Sequence, residues 1–191
     1  MSSGQPAGGV SIRGGQLVID ISSIVAHPAG PNGATGNIEV TAGQVVLSNH
    51  STIDTSTFVP PAPPGTITFN VNSFSATDSA IVGEVHNPQP YGPGAVTIQG
   101  LQGSGSSAQA VFFTNTTVST QNFSFNVVKG SNGGPILVSA DNIALSQSHL
   151  DASTQEGTGG GAISLLSRGA LELVNSFVTS TGFFNSGGIV D

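Results

Sequence analysis

The side chains able to do acid, base or metal chemistry are few: ten carboxylates, four histidines and three basic residues (Arg13, Lys129 and Arg168) in a chain of 191. Metal binding and glycoside cleavage both require such groups to converge. His27, His50, His86 and His149 fall at different phases of the repeat described below, so no shared metal site is expected. Asp54 and Asp151 share a phase but lie three to four coils apart in sequence, too far for a carboxylate pair. A lyase groove would need basic residues beside its carboxylates, and one Lys and two Arg argue against it. The run Gly157-Thr-Gly159-Gly-Gly161-Ala162 has the Gly-x-Gly-x-x-Ala spacing, but a strand rather than a helix follows, so it reads as a turn. Asn49, Asn115 and Asn122 head Asn-x-Ser/Thr triplets, which a chain this rich in Asn, Ser and Thr produces by chance. With no Trp and Tyr91 as the one Tyr, there is little platform for stacking sugars. Thr55, Thr57, Thr66 and Thr68 raise the idea of an ice-binding array, yet Thr-x-Thr does not recur at one phase. No catalytic, cofactor-binding or metal-ligating residue is therefore expected.

Composition narrows the elements that could position any site. Only 7% of residues are charged, and Gly, Ser, Thr and Asn fill the polar positions. Helical surfaces draw on Glu, Lys and Arg, so the pattern favours turn-rich β structure. A net charge of −7 with three scattered cations supplies neither a phosphate-neutralising stripe nor a polybasic patch, which excludes nucleic acid and anionic lipid as partners. There is no cysteine, and no apolar run long enough for a membrane span. Met1 to Gly15 lack the apolar run of a signal peptide, so an exported protein would be represented here by a mature piece or fragment.

A unit recurs through the chain, fullest from Gly36 to Phe58: a Gly, an alternating strand (Ile38, Val40, Ala42), a second (Val45, Leu47), a polar step, a third apolar entry at Ile53, then a loop. Strand starts fall at Val10, Ile38, Ile67, Val96, Ile136, Ile163 and Ile189, spaced 28, 29, 29, 40, 27 and 26 residues. Second strands follow at Leu17/Ile19, Val45/Leu47, Phe74/Ala76, Val111/Phe113, Ile143/Leu145 and Leu171/Leu173. Third-strand anchors are Ile24, Ile53, Ile81, Val118, Leu150 and Val178. Three short strands in 26–29 residues suit one coil of a parallel β-helix, whereas a propeller blade is longer and an antiparallel sandwich has no reason to repeat equivalent positions. The expected fold is an all-β solenoid of about six coils over residues 10–191, roughly 29 Å long at ~4.8 Å per coil, behind a flexible tail or cloning scar at 1–9.

The 40-residue coil, 96–134, is enlarged twice: Gln99 to Gln109 lengthens its first turn, and Gln121 to Gly133, with Phe123, Phe125 and Val127, its last. Such insertions gather on one face, as a binding surface or as a lid over apolar surface. Phe58, Phe183 and Phe184 sit in the loop after the third strand, either as a small ridge or packed on the next coil. Two residues past the second strand lie Asn49, Asp78, Asn115, Gln147 and Asn175, placed to stack as an amide ladder that Asp78 would interrupt.

The segment Gly36 to Phe58 resembles the shaft repeats of filamentous-haemagglutinin-like proteins, bacterial surface adhesins exported by two-partner secretion; Gly94 to Gly100 and Pro135 to Thr154 are similar to them too. The resemblance implies a right-handed β-helix outside a bacterial cell. The family's Asn-Pro-Asn secretion motifs are absent, Asn87-Pro88-Gln89 and Pro31-Asn32-Gly33 being no match, so the chain reads as shaft without its export end. The function expected is structural and adhesive, without enzymatic activity. Its partners would be adjoining coils or further copies end to end, with surface glycans at the insertions. The alternative class is a carbohydrate-binding or carbohydrate-active β-helix, which a groove lined by Asp, Glu or Arg would favour. Gly188-Ile189-Val190-Asp191 begins another coil, and no helix caps either end, so unpaired strand edges are expected at both.

Overall fold

The computed structural model describes residues 8–27, 35–58, 64–86, 94–123, 132–155, 159–182 and 190–191. Its strands run in chain order β1 (Val10–Asp20), β2 (Ser23–Val25), β3 (Ile38–Ser48), β4 (Thr52–Asp54), β5 (Ile67–Thr77), β6 (Ala80–Val82) and β7 (Val96–Gln99). They continue as β8 (Ala108–Thr114), β9 (Thr117–Ser119), β10 (Ile136–Ser146), β11 (His149–Asp151), β12 (Ile163–Ser167), β13 (Leu171–Val174) and β14 (Phe177–Thr179). Every pairing among them is parallel, and the described residues contain no helix. One sheet stacks β1, β3, β5, β7 with β8, β10, and β12 with β13; the other stacks β2, β4, β6, β9, β11 and β14. Six rungs make a β-solenoid of about five turns from first level to last.

Side-chain alternation explains the winding. In β3 the inward residues are Ile38, Val40 and Ala42, then Val45 and Leu47. Two consecutive outward positions, Gly43 and Gln44, turn the strand through a corner without breaking its ladder, so the first two expected strands are one hydrogen-bonded strand of 11 residues with two faces. The same holds in β1, β5 and β10. In the enlarged coil residues 100–107 are inserted just before this corner, between the equivalents of Thr41 and Ala42, which divides the strand into β7 and β8.

Register matches the repeat closely: Val10, Ile38, Ile67, Val96, Ile136 and Ile163 are successive partners, as are the second-strand residues and third-strand anchors. The seventh start is corrected by one residue, because Val190 rather than Ile189 bridges Ile163. Inward columns form a continuous core in which Val40, Val45, Ile53, Phe69, Ile81, Val111 and Leu145 are fully buried, each such side chain contributing about 1.5–3 kcal/mol relative to exposure. Phe69, Phe74 and Phe113 pack edge to face or tilted at 4.9 and 5.7 Å between centroids.

Two corners close each rung. At the first, Ile21, Asn49, Asp78, Asn115, Gln147 and Asn175 all adopt the left-handed conformation, with φ between 46° and 52°. A Ser or Thr follows in every rung: Ser22, Ser51, Ser79, Thr116, Ser148 and Ser176. Ser51, Ser79, Thr116 and Ser148 are buried, and the hydroxyls of Ser79, Thr116, Ser148 and Ser176 each donate to the carbonyl two residues back, at 2.7–2.9 Å. The same oxygens of Ser148 and Ser176 accept the N–H of Thr116 and Ser148 on the rung below, each at 3.1 Å. At the second corner the column is Gly8, Gly36, Gly65, Gly94, Gly134 and Gly161, where a Cβ on any member above Gly8 would overlap the carbonyl oxygen of the glycine below. Thr55 Oγ1 donates to Gly65 O at 3.0 Å and Thr120 Oγ1 to Gly134 O at 2.7 Å, tying the end of one rung to the start of the next.

Candidate functional site

The second sheet is only three residues wide per rung, so its outward side chains and those of the corner beyond it form narrow columns. Thr57, Val85, Asn122 and Thr154 continue the stacking by single parallel bridges, a rudimentary third face. One residue further, the rings of Phe58, His86 and Phe123 lie in one column. Phe58 and His86 stack at 4.4 Å and 11°, and His86 and Phe123 at 4.9 Å and 12°. His27 meets Phe58 edge-on at 5.9 Å. Three histidines carry carboxylate partners: His27 Nε2 lies 2.9 Å from Asp54 Oδ2, His86 Nε2 2.9 Å from Glu84 Oε2, and His149 Nε2 3.6 Å from Asp151 Oδ2. Among the described residues, no three His, Asp or Glu side chains gather as metal ligands.

On the fifth rung the column changes from a ring to Gln155, and beside it opens a groove of about 720 Å³. Gln121, His149, Asp151, Ser153, Thr179 and Thr181 line it. Asp151 is nearly buried: its Oδ1 accepts the Ser153 N–H at 2.9 Å and its Oδ2 accepts Gln121 Nε2 at 2.7 Å. His149 Nε2 lies 2.7 Å from Thr179 Oγ1. A Thr nucleophile would need the carboxylate on the other ring nitrogen of its histidine base, whereas here hydroxyl and carboxylate face the same Nε2. The groove holds one carboxylate and no Arg or Lys among its lining residues. Asp54 and Asp151 do share a column, three rungs apart through Val82 and Ser119, which is about 14 Å at ~4.8 Å per rung. That exceeds the separation of either glycosidase class.

The five residues of the expected amide ladder share the left-handed corner rather than a chain of amide bonds. Asn115 Nδ2 donates to Asp78 Oδ1 at 2.6 Å, so Asp78 supplies a link where an interruption was expected. Asn49 turns the other way, to Asp20 Oδ1 at 2.7 Å, and with Ser48 Oγ at 2.6 Å holds the Asp20 carboxyl below its ordinary value; the Ser48 bond is the larger cause. No side-chain bond joins Gln147 to Asn115 or Asn175. Amide pairs occur instead on the outer face of the first sheet, Gln16 with Gln44 at 3.0 Å and Gln99 with Asn70 at 2.9 Å. The ladder that does run through the corner is hydroxylic and one residue later in most rungs, signalled by the recurrent Ser or Thr. Phe125, Val127, Phe183, Phe184 and Gly157 lie outside the described residues. Compared with protein-family models, with curated proteins and with solved structures, the chain matches none.

Proposed function

We propose that the chain is a non-enzymatic shaft segment of an extracellular bacterial surface fibre, and that a second copy stacks on its last rung as further parallel coils. The observation that carries the reading is a difference in burial within single columns. Leu171 and Leu173 are register partners of Ile143 and Leu145. The inner pair is 1% and 0% exposed, the outer pair 47% and 45%. At the opposite end Val10, Ile12, Leu17 and Ile24 are partly buried, while their partners Ile38, Val40, Val45 and Ile53 are fully buried.

Among the described residues, both end faces present inward-type apolar residues, and β1 and β13 have strand edges without a partner strand; a parallel rung satisfies both. Val190 and Asp191 already pair with Ile163 and Leu165 in this manner. A head-to-tail contact of two different end faces does not close on itself, so its product is a filament. Negative-stain electron microscopy of the purified chain tests the reading. Filaments should lengthen with concentration and shorten when Leu171→Lys and Leu173→Lys are combined. Dispersed short rods at the highest concentration would remove self-stacking from the account.

A further inference from the structure

The groove on the fifth and sixth rungs is the feature that the shaft reading leaves unused. It is lined by hydroxyls, amides and one imidazole, and its volume of about 720 Å³ lies within the range of small-ligand sites. Among the described residues its only carboxylate, Asp151, is held by the Ser153 N–H and the Gln121 amide, and no Arg or Lys lines it. A phosphate, sulfate or uronate would therefore meet a negative charge with no cation among the described lining residues to offset it. Beside the groove, Phe177 projects outward from β14 on the rung above His149, 66% exposed, its ring 6.2 Å from the imidazole. An outward ring next to a row of neutral donors and acceptors matches one ligand chemistry: a pyranose, with an apolar C–H face and a rim of hydroxyls.

We infer that this groove binds a neutral glycan chain of hexose or N-acetylhexosamine units, about two or three rings long given the volume. One sugar packs its C–H face on Phe177, and the hydroxyls of its neighbours bond Thr179, Thr181 and the Gln155 amide. The position is set by the column change on the fifth rung: where Phe58, His86 and Phe123 place rings on the rungs below, Gln155 and Gly182 line the groove. With one carboxylate among its described lining residues, the groove lacks the carboxylate pair that glycoside cleavage uses. The inference does not depend on end-to-end stacking, because Phe177 and the groove face outward rather than along the axis.

Saturation-transfer NMR of the whole chain tests it, with maltotriose, cellotriose, mannotriose and tri-N-acetylchitotriose at millimolar concentration and trigalacturonic acid as the acidic counterpart. At least one neutral trisaccharide should receive saturation, and trigalacturonic acid none. Phe177→Ser should weaken binding about tenfold, and Thr181→Trp, a substitution at an exposed site that fills the groove, should abolish it; Thr97→Ala on the opposite sheet should leave it unchanged. No transfer to any neutral sugar, transfer to the acidic sugar alone, or undiminished binding by Thr181→Trp would overturn the inference. Filament formation is read separately by microscopy, so failure of one reading is distinguishable from failure of the other.

Discussion

At one corner of the coil six rungs place Ile, Asn, Asp, Asn, Gln and Asn at φ of 46–52°; at the other, six rungs place glycine without exception. Both corners reverse the chain, but they constrain it differently. The first asks for a backbone conformation that costs an L-residue roughly 1–2 kcal/mol, a cost that short polar side chains lessen and even Ile21 tolerates. The second asks for space, because a Cβ would overlap a backbone carbonyl that is itself fixed by the next rung. Conformational strain admits variety at a corner, whereas steric exclusion by backbone admits none. The loop before the glycine corner varies in length while Thr55 and Thr120 fasten its base, and a second insertion, residues 100–107, falls between β7 and β8, so the coil grows from 27 to 40 residues between starts while the strand register is kept.

The largest effect should come from placing a Cβ in the glycine column. Gly94→Ala is expected to lower stability by about 3 kcal/mol or more, read as the midpoint of urea unfolding. If Gly94→Ala proved no worse than Asn115→Ala, the contrast between the corners would be broken. Thr120→Val keeps the shape of the fastening residue but removes its buried bond to Gly134 O, for an expected loss of about 1–2 kcal/mol by the same measurement. Asn115→Ala, which loses one exposed bond to Asp78 and leaves a non-Asn residue in the left-handed region, should cost about 1 kcal/mol. Ile21→Asn should act in the opposite direction, stabilising by about 1 kcal/mol, because it relieves a β-branched residue at positive φ.

The smallest effect concerns Asp20. Its folded-state carboxyl is held below its ordinary value by Ser48 and Asn49, so its contribution is present above the unfolded value and is lost as pH falls through the folded one. Acid titration of Asp20→Asn should show a smaller loss of stability across that window than the parent chain; an identical acid limb would show that these bonds do not persist in solution.

The inward columns were legible because burial imposes a period of two that survives every loop. The slip at Ile189 shows the limit: one residue inverts a strand, and two adjacent apolar residues leave its phase undecided. The spacing from Gly161 to Ile163, repeated from Gly188 to Val190, carried the answer. The corner residues were located correctly but assigned to amide stacking, because the polar types favoured at positive φ are also those that form ladders. Neither ring column nor groove could be read, since Phe58, His86 and Phe123 come into line only after loops of unequal length are set aside.

Deleting one complete rung tests most directly whether the molecule is a one-dimensional stack. Removal of residues 67–95 joins Thr66 to Val96, leaves a Gly two residues before the strand as in every other rung, and brings β3 against β7 and β8. Small-angle scattering of the shortened chain should give a folded particle of unchanged cross-section, shorter by one rung of about 4.8 Å, with β-type circular dichroism retained. An unfolded chain, or a folded one of altered cross-section, would contradict the account, for it would mean that the rungs depend on more than their neighbours.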